Sequence, residues 1–169
     1  MVTIGLIYGS SMGNTENAAK TIRNLLGGKD AVALYEASTA SAEAVAKHDK
    51  LILGSSTWGD GELQDDMESF LSGLEDGFFA GKTVALFGLG DQEGYGEYFV
   101  NAMGHLYDKV TGDGATVVGE WPVDGYDFEE SSAVREGSFV GLALDEDNQG
   151  DLTEERIALW VEQIRGALG

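Results

Sequence analysis

Apolar and polar positions along this chain alternate between two rhythms. Residues 2–8, 50–55 and 83–88 are short, almost continuous apolar runs, as strands buried on both faces would be. Between them the apolar residues return at helical spacing. Ala18, Ala19, Ile22, Leu25 and Leu26 form one stripe over 14–26, stopped by Gly27-Gly28. Met67, Phe70, Leu71 and Leu74 form a second, and Phe99, Ala102, Met103, Leu106 and Val110 a third. Residues 31–36 read as a strand, 41–48 as a short helix, and Ala115-Thr116-Val117-Val118 as a fifth strand. Near the end Thr153 suits an N-cap, with Glu154 and Glu155 at the positive end of the helix dipole. Ile157, Trp160, Val161, Ile164 and Leu168 then share one face. Strands alternating with helices predict a parallel sheet covered on both sides.

The alternation breaks over 119–150, where Trp121-Pro122, Gly125-Tyr126-Asp127-Phe128 and Asp145-Glu146-Asp147 are too polar and irregular for a simple turn. The expected organisation is one domain over 1–169, with an insertion at about 119–138 that splits or extends the fifth strand.

Composition narrows the function. The 169 residues carry 30 acidic against 10 basic side chains, a net charge of −20. Such a surface repels nucleic acid and anionic lipid, and it steers toward basic protein partners. No apolar run approaches the roughly 18 residues a membrane span needs. Met1-Val2-Thr3-Ile4 has no basic n-region or long h-region, so no signal peptide is expected. There is no cysteine, so redox chemistry requires a borrowed cofactor. A cytoplasmic, monomeric protein is expected.

Three of the predicted strands end in Gly- and hydroxyl-rich loops, which an open parallel sheet gathers at one edge, where ligands bind. The first loop, Ser10-Ser11-Met12-Gly13-Asn14-Thr15, offers side-chain donors and a glycine turn ahead of a helix N-terminus. A phosphate fits there without a cation, and no Lys or Arg lies in 1–19. The Gly-Lys-Ser/Thr ending of a Walker loop is missing. An ordinary capped helix start explains the same residues. Trp58, in Ser56-Thr57-Trp58-Gly59-Asp60-Gly61, is either a stacking surface or a Trp folded over its own helix. Tyr95 is either a second such surface or a solvent-facing loop Tyr.

Other chemistry is weakly supported. His48 and His105 have no partner at metal-ligand spacing, and no metal is expected. The serines lie in no G-x-S-x-G elbow, and Gly88-Leu89-Gly90 lacks the third glycine of a dinucleotide fingerprint.

Four ordered motifs give the chain a family resemblance, from about residue 3 to the C-terminus. Ser10 to Thr15 stands where a flavodoxin phosphate loop reads [T/S]-x-T-G-x-T. Thr57-Trp58-Gly59-Asp60-Gly61-Glu62-Leu63 is similar to that family's first flavin loop. Gly88-Leu89-Gly90-Asp91-Gln92-Glu93-Gly94-Tyr95 is similar to its second. The run from Phe139 to Gln149 matches the segment after the insertion of long-chain flavodoxins.

The resemblance implies an α/β flavodoxin-like three-layer sandwich, a five-stranded parallel sheet of order 2-1-3-4-5 with an insertion in the last strand. It implies noncovalent FMN, with the phosphate on Ser10, Ser11, Met12 (through its N–H), Gly13, Asn14 and Thr15. Trp58 and Tyr95 would sandwich the ring, Trp58 inside and Tyr95 outside. Asp91 and the backbone around Ser56, Thr57, Gly59, Asp60, Gly61, Leu89 and Gly90 would meet the ring edge, and Asp147 the ribitol. The peptide between Gly59 and Asp60 would turn its C=O toward the flavin on reduction. The implied function is a low-potential one-electron carrier working on the semiquinone/hydroquinone couple. Its partners would be redox proteins with basic docking surfaces, such as a ferredoxin-NADP reductase-like donor or acceptor. An FMN-dependent quinone or nitro reductase is the alternative. A signalling receiver would need an Asp where Gly54-Ser55-Ser56 stands.

One position departs from the family pattern. Met12 occupies the place of a hydroxyl that would bond a charged phosphate, a bond worth about 1.5–3 kcal/mol. Met12→Thr is expected to tighten FMN binding, as read by fluorescence titration. Equal or weaker affinity would show that Ser11 or the backbone already replaces the missing bond.

Overall fold

The computed structural model describes residues 4–10, 13–58 and 61–168. Four long strands make its centre. These are β1 (Ile4–Gly9), β2 (Val32–Glu36), β3 (Lys50–Trp58) and β5 (Thr83–Leu89), with the short β4 (Glu62–Leu63) between the last two. The helices that follow them are α1 (Asn14–Leu25), α2 (Ala42–Ala46), α3 (Asp65–Ser72) and α4 (Asn101–Gly112). Then come β6 (Thr116–Val118), β7 (Trp121–Pro122), β8 (Val134–Arg135), β9 (Ser138–Phe139), β10 (Leu142–Leu144), α5 (Glu146–Gln149) and α6 (Thr153–Leu168).

Strand β1 lies between β2 and β3, β3 pairs onward with β5, and all these ladders are parallel. The central strands are apolar along their middles because both their faces are covered. Leu6, Ile7, Leu51, Ile52, Leu53, Leu86 and Phe87 are fully buried. Helices α1 and α6 pack side by side over one region of the sheet, while α3 and α4 cover β1, β3 and β5.

The fifth position of the sheet is filled twice. Strand β6 pairs with Thr83 to Ala85, at the start of β5, and β10 pairs with Phe87 to Leu89, at its end. The chain therefore leaves the sheet at Val118 and returns at Leu142 in the same lane, as the split-strand expectation has it. The intervening segment forms its own antiparallel sheet, β7-β9-β8. This sheet takes in Ser138 and Phe139, so it runs past the expected limit near 138. Its two-residue strands are too short for any periodicity to reveal. What holds it is aromatic. Tyr126 and Phe128 each contact both Phe99 and Phe139, which also touch one another, with ring centroids 5.1–5.9 Å apart. The Tyr126 hydroxyl accepts from Trp121 Nε1 and donates to the Ala143 carbonyl of β10. Burial pushes the Tyr126 hydroxyl up to about 12, so it stays a donor at any ordinary pH.

Two further boundaries differ from the sequence reading. Strand β3 does not stop at Ser55. It runs to Trp58 because Thr57 and Trp58 pair antiparallel with Leu63 and Glu62. Phe99, the first residue of the third stripe, lies in extended backbone after a 3₁₀ turn at Gly96–Tyr98, and α4 itself starts only at Asn101.

Candidate functional site

The carboxyl ends of β1, β3, β5 and β10 open into one cleft of about 950 Å³ of empty space, its mouth included. Ser10, Asn14 and Thr15 from the first loop line it, with Ser56, Thr57 and Trp58 from the second and Leu89, Gly90, Asp91 and Tyr95 from the third. Asp147 lines it from α5. Parallel strands place these loops together because every strand ends on the same side.

The described part of the first loop can receive an anion. Gly13 precedes α1 at φ 90°, a left-handed conformation that a side chain strains to adopt. Its N–H donates to Ser10 Oγ at 3.0 Å, which leaves the Ser10 proton free to turn into the cleft. Among the described residues no side chain caps the first turn of α1. Among the described residues, the first-turn N–H groups and the positive dipole end of this twelve-residue helix thus face the cleft uncapped. Ser11 and Met12 lie outside the described residues.

Two aromatic side chains stand exposed at the cleft. Trp58 is 42% exposed and Tyr95 is 57% exposed, both large values for such residues. Trp58 is not folded over a helix. It ends β3, and its Nε1 donates to Ser56 Oγ at 2.8 Å, which fixes the indole. The hairpin carrying it is held from behind by α4. Ala102 N donates to Thr57 Oγ1, and His105 Nε2 lies 3.0 Å from the Gly61 carbonyl. Gly61 turns the hairpin at φ 94° and does not line the cleft. Gly59 and Asp60, with the peptide between them, lie outside the described residues.

The third loop differs in detail from the sequence reading. Asp91 lines the cleft, and its carboxylate also folds the loop. Its Oδ1 accepts from Glu93 N, Gly94 N and Asn148 Nδ2 at 2.7–3.1 Å, an Asx-type turn that folds the loop. The Gly94 bond, with that of Asn148, holds its pKa below the usual carboxylate value. The Gly90 N–H is paired with the Leu144 carbonyl, so Gly90 offers only its carbonyl and its lack of a side chain.

Sequence reasoning missed two lining residues, Tyr98 and Glu146. Tyr98 follows Tyr95 by three, which a 3₁₀ turn places on the same side. Glu146 belongs to the acidic run already noted. Asp91, Glu146 and Asp147 thus bring three carboxylates to the cleft, with buried Asp145 behind them. Desolvation, and then repulsion from Asp91, Asp145 and Glu146, push the Asp147 pKa up. Carboxylate oxygens of Asp91, Asp145 and Asp147 lie within 4.8 Å of one another.

This arrangement has counterparts among known proteins. The flavodoxin family model matches residues 6–160. The chain belongs to the flavodoxin family. A flavodoxin of a Picosynechococcus species is 50% identical over 169 residues, covering 100% of this chain and 99% of its own. Flavodoxin 1 of Escherichia coli is 48% identical over 165 residues, covering 97% and 93%. The crystal structure of Fusobacterium nucleatum flavodoxin bound to flavin mononucleotide superposes with a TM-score of 0.91 at 36% identity, over the whole of both chains. Flavodoxins are themselves among the standard examples of ligand binding where the strand order of an open sheet reverses.

Proposed function

We propose that this flavodoxin carries single electrons between redox proteins, using noncovalently held FMN, and is not itself an enzyme. The observation that carries this reading is one cleft holding an uncapped helix N-terminus and two exposed aromatic faces. The residues fit the group. A phosphate satisfies the first-turn N–H groups of α1, with Ser10, Asn14 and Thr15 beside it. By the family resemblance Ser11, Met12 and Gly13 belong to the same phosphate loop. Trp58 and Tyr95 take the two faces of a planar ring system, and the backbone at 56–58 and 89–91 takes its edge. Asp147 faces the ribitol.

Bound FMN supplies a centre that accepts one or two electrons. The chain sets how readily. Apolar faces exclude water from the ring, and three carboxylates surround the cleft with negative charge. Both disfavour an added electron, so the lower potential falls. For one electron, about 59 mV corresponds to ~1.4 kcal/mol. Neutralising one exposed, solvent-screened carboxylate is worth roughly 0.3–1 kcal/mol, or about 10–40 mV. Asp147→Asn is therefore expected to raise the lower potential by that amount in a spectroelectrochemical titration. Because the Asp147 pKa is raised, falling pH protonates it early, and the wild-type potential converges on the variant's as it does. A pH-independent difference would remove Asp147 from this role.

Transfer would pass through the ring edge to a docked partner. Beside Tyr95, a second groove of about 920 Å³ is rimmed by Glu93, Glu97, Asp127 and Glu129. A partner with a basic face, such as a ferredoxin-NADP reductase-like protein, matches that charge, and the association rate should fall with salt. Among the described residues no helix is long and apolar enough to cross a membrane.

The experiment is stepwise reduction of the purified protein with FMN. Two separate one-electron steps and no steady NADPH oxidation are expected. Failure to bind FMN would sink the reading, and sustained NADPH turnover with a quinone would favour a reductase.

A further inference from the structure

Gln92 has a place that the flavin reading does not use. It is 5% exposed and is the one buried residue in 91–98. Its side-chain amide faces two ways. Nε2 donates to Asp145 Oδ2 at 2.8 Å, and its own backbone N–H donates to the same oxygen at 3.0 Å. Oε1 accepts from Asp127 N, in the insertion, at 2.6 Å. Asp145 is fully buried and also accepts from Asn148 N and Asn148 Nδ2, the latter of which reaches on to Asp91.

These bonds run from the insertion to the cleft. Three residues beyond Gln92 stands Tyr95, exposed. On its other side the Gly96 carbonyl accepts from both Glu129 N and Glu130 N of the insertion. The insertion thus grips the third loop on both sides of Tyr95, at Gln92 and at Gly96. The Gly96 grip uses main chain alone, so a side-chain change leaves it intact. The Gln92 grip depends on an amide, a group that donates to the carboxylate and accepts from the insertion at once. Leucine of similar size does neither.

We propose that Gln92 is a positioning residue, which transmits the fold of the insertion to Tyr95 and so sets how closely that ring covers bound FMN. The inference rests on the reading that this cleft holds FMN. It assigns the insertion a part inside the protein, in the affinity and potential of the flavin, beside any part it has in docking.

The test compares FMN dissociation constants and both one-electron potentials for four proteins: the unaltered chain, Gln92→Leu, Tyr95→Ala and the double variant. Far-ultraviolet circular dichroism checks that each is folded. Gln92→Leu should bind FMN roughly tenfold more weakly, since a loop no longer held in place must be ordered on binding. Its lower potential should rise, because a displaced Tyr95 admits water to the ring. In the Tyr95→Ala background the same change should alter both quantities little, the dissociation constant by less than about twofold. Equal effects of Gln92→Leu in the two backgrounds would overturn the proposal, as would wild-type affinity and potential in a folded Gln92→Leu. If Gln92→Leu does not fold, Gln92→Met keeps the length of the side chain while losing both side-chain bonds. The same comparisons then decide. An unaltered chain that ignores FMN would instead overturn the flavin reading, and this inference with it.

Discussion

Trp58→Ala is expected to weaken FMN binding by about 5- to 150-fold. Stacking of a flat heteroaromatic ring on an aromatic side chain contributes ~1–3 kcal/mol, and each 1.4 kcal/mol is tenfold in affinity. The indole is already oriented by its bond to Ser56 Oγ, so little ordering cost opposes the contact. Folding stability of the apoprotein should change by no more than about 0.5 kcal/mol, because the side chain is 42% exposed. Trp58→Phe keeps an aromatic face and should retain most of the affinity while losing the Ser56 bond. Titration of apoprotein with FMN, followed by quenching of flavin fluorescence, measures both affinities, and urea unfolding of the apoprotein measures the stability. A dissociation constant for Trp58→Ala within twofold of wild type would remove Trp58 as a stacking partner.

Asp145→Ala is expected to destabilise the apoprotein by about 3–5 kcal/mol. The fully buried carboxylate accepts four hydrogen bonds, from Gln92 N, Gln92 Nε2, Asn148 N and Asn148 Nδ2. Its removal leaves buried donors without a partner, each costing roughly 1–3 kcal/mol, and removing one partner of a buried charged cluster costs a similar total. A domain of this kind has about 5–15 kcal/mol in all. Urea unfolding should therefore show the midpoint falling sharply with the slope unchanged. A loss under 1 kcal/mol would mean that water enters and satisfies the donors, and that the network is not the clamp described here.

These two positions illustrate how differently residues of one site announce themselves in sequence. Trp58 was legible because an aromatic among small and polar residues has little to bury it. The first loop was legible for a similar reason, as glycine and hydroxyls after an apolar run and before a helical stripe suit an anion. Asp145 was visible only as one of three acids in a run. Nothing in that run distinguishes the fully buried Asp145 from the exposed Asp147 next but one. Gln92 drew no attention, since a buried glutamine and a surface glutamine look alike until its two partners, 35 and 53 residues away, are brought beside it. Asp91 was legible as a residue of the third loop, but the part its carboxylate takes in folding that loop was not.

The alternation of buried strands and amphipathic helices was written in the chain itself, because burial on two faces or on one stripe demands those periods of any sequence. So was the overall chemistry of an acidic, cysteine-free chain with an anion loop and two unburied rings. Tertiary structure alone decided that β6 and β10 share one lane of the sheet, that a small antiparallel sheet fills the gap between them, and which acids are buried. Those outcomes depend on contacts between residues distant in sequence, and local spacing carries no record of such contacts.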